Sequence, residues 1–231
     1  MKVLRKRQGD SLAAGLLGAS LFGPAPGSLG RAFVRRLDAE GMVLDYEAEA
    51  EAPSLAPLRL LLGFPRPIQA SRLLRDLASL GLAEILLSGT ELGEKSYLES
   101  DLWKKEEWRQ AILEGAEQAA NPRLPRVERA WTLERALGTL AGAAAGPGEP
   151  DWKAGGFVVL HPGEDLPDLG SLPPASPLTL AIGSERGWTE RELDLLDSAG
   201  FVRAGLGSRI LKTETAAIAA SALALSRLGL L

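Results

Sequence analysis

Residues 181–223 read AIGSERGWTERELDLLDSAGFVRAGLGSRILKTETAAIAASAL, and this stretch decides the architecture. It opens on the end of an apolar run, Leu178–Ile182, short and bounded by Pro and Gly, which predicts a buried strand. A polar turn from Gly183 to Gly187 follows. Thr189 then stands where an N-cap is wanted. Glu190 and Glu192 occupy the first turn, where the helix dipole favours carboxylates, so a helix is predicted as far as Ala199. Phe201–Leu206 predicts the last strand, Gly207 to Lys212 a loop, and Thr213 the start of a terminal Ala/Leu helix. Strands that alternate with helices imply an α/β layer structure with a mostly parallel sheet.

The same alternation runs upstream. Leu58–Gly63 predicts a strand, and Ile68, Leu73, Leu74, Leu77 and Leu80 fall at helical spacing. Glu84–Ser88 predicts a strand, Leu102–Ala119 one long amphipathic helix carrying Trp103 and Trp108, and Val127–Ala130 a strand before a helix at Leu133–Ala141. Residues 142–156 read as a flexible loop, and Phe157–Leu160 as another buried strand. Ligands of parallel sheets sit in loops at the carboxyl ends of strands. Three such loops come late: His161-Pro162-Gly163, Gly183 to Gly187, and Leu206 to Lys212. Residues 1–52 read instead as a small β-rich unit, with extended stretches near Ala32–Arg35 and Met42–Tyr46, and EAEAEAPSLAP (47–57) reads as a linker to a second domain at 56–231.

Composition narrows the chemistry. The chain has 231 residues with 45% hydrophobic and 24% charged positions, enough for a core of ordinary size. The absence of cysteine excludes disulfides, thiolate catalysis and Cys-ligated metals, and fits a reducing, cytoplasmic setting. A single histidine, His161, excludes multi-His metal sites, so no metal is expected. No apolar run reaches bilayer length, so no membrane partner is expected. Net charge is -4, but Lys2, Arg5, Lys6, Arg7, Arg31, Arg35 and Arg36 precede an acidic run from Asp38 to Glu51, which suggests a basic module on an acidic body.

Two short motifs lead nowhere. Gly9-Asp10-Ser11-Leu12 spells a hydrolase signature, yet Arg5 to Gln8 stand where an apolar strand is needed, and Val158 occupies the place of an aspartate three residues before His161. Gly205-Leu206-Gly207 begins like a dinucleotide fingerprint, but Ile210 holds the third glycine position and no room remains for a further βαβ unit.

The specific signal lies in Ile182-Gly183-Ser184-Glu185-Arg186-Gly187-Trp188-Thr189 with Glu192, and in Leu206-Gly207-Ser208-Arg209-Ile210-Leu211-Lys212-Thr213-Glu214-Thr215-Ala216. These resemble the paired motifs, roughly hxIGPEGGFSxxE and LGxRILRxETA, of the RsmE family in the SPOUT class. Weaker echoes are Glu117-Gln118 before Pro122 to Pro125, Lys95-Ser96, and Val3-Leu4-Arg5 with Gly9-Asp10. Ser184 and Arg186 replace the family's Pro and second Gly, Lys212 its Arg after RIL, and Asn121 the Arg of EQSxR.

The resemblance implies a SPOUT-type knotted parallel sheet with a C-terminal trefoil, and an N-terminal PUA-like β-barrel that is incomplete or truncated here. It also implies S-adenosyl-L-methionine as methyl donor, N3 of a uridine in small-subunit ribosomal RNA as acceptor, and a homodimer. Ile182, Leu206, Ile210 and Leu211 would then wall an adenine, while Gly183, Gly187 and Gly207 let the main chain approach. His161 and Thr213 fall on the same cofactor side. Arg209 suits the charge that develops on the acceptor, and Glu185 could orient the substrate or take its proton. Arg5, Lys6, Arg7, Arg35, Lys95, Arg123 and Arg186 are the candidate RNA contacts. The departures leave two alternatives open: a non-catalytic RNA-binding or ribosome-assembly module, and a related methyltransferase for another RNA.

Overall fold

The computed structural model describes residues 6–18, 27–142, 150–163 and 165–231. The amino-terminal unit is a sheet of β1 (Ser11–Leu16), β2 (Ser28–Leu37) and β3 (Met42–Glu51), antiparallel in the order β1-β2-β3. Among the described residues these strands form an open sheet, in keeping with the incomplete barrel expected. Ala32 and Val34 of β2 turn inward, two residues apart as the pleat requires. The stretch predicted as a linker is strand as far as Glu51, because Glu47 to Glu51 continue the ladder on Ser28 to Arg31. What remains of it is tied down: Arg123 Nε donates to the Ala52 carbonyl at 2.9 Å and Asn121 Nδ2 to that of Pro53 at 3.2 Å.

The second unit is a six-stranded parallel sheet in the order β6-β5-β4-β8-β7-β9. Its strands are β4 (Ala56–Gly63), β5 (Leu82–Ser88), β6 (Arg126–Ala130), β7 (Gly156–Leu160), β8 (Leu178–Ile182) and β9 (Val202–Ala204). The helices are α1 (Pro67–Ser79), α2 (Asp101–Lys104), α3 (Trp108–Gln118), α4 (Leu133–Gly142), α5 (Glu190–Ser198) and α6 (Thr213–Arg227). Alternate strand residues separate two cores. Leu60, Leu62, Leu180 and Leu160 pack with α1, α3 and α6, while Leu61, Ala181 and Val159 pack with α4 and α5. Moves toward the β6 edge carry their connections on the α1 face, and the two moves away from it carry α4 and α5 on the other. A uniform crossover hand requires that arrangement.

Three sequence expectations change. The long helix predicted over 102–119 is two helices broken at Lys105–Glu107, with Glu106 in the left-handed region at φ 57°. On one continuous helix Trp103 and Trp108 would point about 140° apart. The break lets both reach the core, where they are 2% and 8% exposed. The final strand is three residues long rather than six, since Gly205 leaves β7 to bridge Asp168. Residues 152–154, inside the predicted flexible loop, form a turn of 3-10 helix with Trp152 buried, and 143–149 lie outside the described residues. The predicted N-cap holds: Thr189 and Glu192 form a reciprocal capping box on α5.

Candidate functional site

β7, β8 and β9 are in register at their carboxyl ends, with Leu160 opposite both Ile182 and Ala204. The three late loops therefore leave the sheet at one height and side by side. His161 N donates to the Ala204 carbonyl at 3.0 Å. The β7–β8 connection is laced to the loop after β9: Gly205 N donates to Pro167 O and Leu169 N to Gly205 O, both at 2.9 Å, and Gly207 N reaches Asp168 Oδ1 at 3.1 Å.

The loop after β8 is a tight turn closed by Gly187 N donating to Ser184 O at 2.8 Å. Gly187 sits at φ +76°, which an L side chain would strain, so the turn forms here despite Ser184 and Arg186. The turn also presses on β4. A Cβ placed on Gly63 would lie 2.3 Å from the backbone nitrogen of Ser184. Gly63→Ala is expected to lower stability by about 1–3 kcal/mol and to displace the turn. Thermal unfolding of the variant measures the loss, and an unchanged melting temperature would show that the approach is not that close.

Electrostatics fix the turn from both sides. Glu185 pairs with Arg66, at the β4–α1 corner, at 3.4 Å. Tyr97 and then Glu185 raise the Arg66 pKa above its ordinary value. On the other side Glu192, almost fully buried, accepts from Glu91 N and Thr189 N, each at 2.9 Å. Glu91 takes a hydrogen bond from Thr189 Oγ1 at 2.6 Å and pairs with Arg191, and these contacts hold its carboxyl below the usual range. Arg66, Gly63 and Glu91 escaped the sequence reading. The Pro65-Arg66-Pro67 corner directly after a buried strand was the available signal.

The predicted cofactor residues divide. Ile182, Gly183 and Thr213 are buried, His161, Gly187, Leu206 and Leu211 half-buried, Gly207 exposed, and Ile210 is 85% exposed, so it walls nothing in this conformation. Among the described residues, buried polar atoms without a partner here include His161 Nδ1, Ser184 Oγ and Trp188 Nε1. Arg209 and Arg186 are exposed. Of the other predicted RNA contacts, Lys6 Nζ donates to Ser11 O at 2.8 Å, Arg7 and Lys95 are exposed, Arg35 pairs with Asp45, and Arg123 pairs with Glu51. Arg5 lies outside the described residues. Among the described residues no group of acidic or histidine side chains is placed to hold a metal, and no helix is long and apolar enough to cross a membrane.

Comparison with known proteins agrees with this geometry. Residues 51–225 match the model of the RNA methyltransferase domain family. Ribosomal RNA small subunit methyltransferase E of Treponema pallidum is 42% identical over 180 residues, 77% of this chain, and the chain spans only 65% of that relative's length. Ribosomal RNA small subunit methyltransferase E 1 of Borreliella burgdorferi is 31% identical over 77% of this chain and 71% of its own. Among solved structures, the ribosomal RNA small subunit methyltransferase E of Neisseria gonorrhoeae bound to S-adenosyl methionine superposes with a TM-score of 0.73, at 21% identity over 97% of this chain and 86% of that one. A probable rRNA-methyltransferase from Porphyromonas gingivalis gives a TM-score of 0.75, at 19% identity over 99% of this chain and 89% of that one. At such identities these two superpositions speak for the fold, and the sequence matches speak for the kinship: the chain belongs to the RsmE family of RNA methyltransferases, in the SPOUT class.

Proposed function

We propose that the chain is an S-adenosylmethionine-dependent methyltransferase acting on N3 of a uridine in small-subunit ribosomal RNA. The observation that carries this reading is the convergence of the loops after β7, β8 and β9 on one mouth, with His161 Nδ1 and Ser184 Oγ buried there and unpartnered. A buried polar atom without a partner costs about 1–3 kcal/mol, and a ligand that supplies the partner recovers it. A nucleoside fits such a place: half-buried Leu206 and Leu211 offer apolar contact, and the backbone of Gly183 and Gly187 offers polar edges.

The donor, when bound, supplies an electrophilic methyl group on a sulfonium. What the chain must do is hold the acceptor in line and stabilise negative charge on the uracil as N3 gives up its proton. Arg209 is the group proposed for that charge, since a guanidinium presents two donors to a delocalised anion. Glu185, whose carboxylate faces Arg66, is the group proposed to orient the acceptor or to take the N3 proton. The proposed division places a small amino-terminal domain at 1–52 and the methyltransferase domain at 56–231. A trefoil threading of α6 is supported by the β7–β8 connection, which shares its face of the sheet and receives hydrogen bonds from Arg227 at Gly170 and Leu172. Homodimerisation through half-buried Ile218 and Leu223 of α6 and a cytoplasmic location complete the reading.

Calorimetry on the full chain with S-adenosylmethionine or S-adenosylhomocysteine is expected to show micromolar binding. Mass spectrometry of small-subunit rRNA after incubation should then show one added methyl at a uridine N3. Absence of cofactor binding would sink the proposal.

A further inference from the structure

Where the chain grips its polyanion follows from which cations are already neutralised. In the β2–β3 hairpin of the amino-terminal sheet each arginine meets a carboxylate. Arg31 faces Glu49 at 3.6 Å across the ladder, Arg35 pairs with Asp45, and Arg36 meets Asp38 at 3.0 Å. Residues 28–51 contain three arginines and six carboxylates, so this hairpin carries a net negative charge. Arg123 is likewise occupied between Glu51 and the Ala52 carbonyl.

The mouth of the parallel sheet has the opposite pattern. Arg186 lies at the tip of the Ser184–Gly187 turn, and Lys212 at the N-cap of α6; both are exposed, and neither forms an ion pair among the described residues. Two of the nearby carboxylates are engaged elsewhere. Glu185 is turned to Arg66, and Asp168 accepts from Gly207 N. Lys212 offers no side-chain cap, and Glu214 stands in the first turn of the fifteen-residue α6, where it offsets the positive end of the helix. Only β7 lies between β8 and β9 in the sheet, so the loops that carry Arg186 and Lys212 leave the same edge. A sulfonium donor brings no phosphate, and its one anionic group is a carboxylate.

We infer that Arg186 and Lys212 bind the RNA backbone beside the methyl-transfer site, and that the amino-terminal sheet contributes no phosphate contact through its β2 arginines. The inference rests on the proposed function for its choice of polyanion. Arg186 stands where the family pattern has glycine, so the contact is a feature of this chain rather than one carried over by resemblance.

The test is the salt dependence of binding to a small-subunit rRNA transcript, measured by fluorescence anisotropy on the full chain. Removing one cation that neutralises a phosphate lowers the slope of log K against log salt by about 0.7–0.9. Arg186→Ala and Lys212→Ala should each do so, Arg186→Lys should keep the slope, and Arg35→Ala should leave it unchanged. Melting curves establish that each variant is folded. The inference is overturned if both mouth variants keep the parental slope, if Arg35→Ala lowers it as much, or if binding shows no salt dependence at all. A chain that binds RNA with this pattern yet transfers no methyl group would count against the proposed reaction and leave this inference standing.

Discussion

Arg59→Met is expected to destabilise the chain by about 3–5 kcal/mol, the usual cost of removing one member of a buried ion pair. Arg59 and Glu84 stand opposite each other in the β4–β5 ladder and are 1% and 4% exposed. Arg59 donates to Glu84 from Nε at 2.9 Å and from a terminal nitrogen at 2.7 Å, and its guanidinium lies 4.2 Å from the centre of the Trp152 ring. Methionine would preserve the stem and leave the carboxylate alone. Burial pushes the Glu84 pKa up, against the opposing pull of Arg59. A carboxyl whose pKa is raised by folding favours the fold while protonated, and that favour fades as pH rises through the folded value. The deficit of Arg59→Met should therefore shrink as the solution is acidified, because a neutral Glu84 asks less of its surroundings. Glu84→Gln should be milder than Arg59→Met and should remove this part of the pH dependence. Chemical denaturation of the variants across the acid range reads all of these effects. Equal losses for both single variants, independent of pH, would show that packing rather than charge holds this place.

Sequence reading succeeded where one periodic pattern met one local stop. Leu178–Ile182 is strand from end to end as predicted, and the α5 cap is built by the residues whose spacing announced it. It failed where the outcome depended on partners far along the chain. Trp103 and Trp108 suit one helix by composition, and only their shared demand for the same core breaks it at Glu106. The arginines of β2 look like a free basic stripe until pairing with β3 brings Glu49 to Arg31 and Asp45 to Arg35. Gly63 is an ordinary strand end until the turn from β8 lies against it. Each miss concerns a neighbour distant in sequence, and local preference carries no record of such neighbours. The candidate site was legible to the same extent. Its loops were found from glycines after strands, but the Arg66–Glu185 and Glu91–Arg191 pairs that brace them were not.

Arg209→Ala is expected to lower the rate of methyl transfer by about two to three orders of magnitude, the usual effect of removing a donor aimed at charge that develops in the transition state. Arg209 is exposed and belongs to a loop tethered at Gly207 by Asp168, while neighbouring Ile210 is almost wholly in solvent. Among the described residues Arg209 forms no hydrogen bond or ion pair, so the melting temperature of the variant should stay within about a degree or two of the parent. Affinity for S-adenosylmethionine should also be nearly unchanged, since the role belongs to the acceptor. Lysine restores the charge but not the two-pronged geometry, and Arg209→Lys should recover only part of the rate. A fall in turnover with cofactor affinity intact separates this assignment from a mere distortion of the loop, which would weaken both together. It also bears on whether the family's chemistry survives the Ser184 and Arg186 departures: a chain that had become a passive RNA-binding module would have no turnover for Arg209 to support.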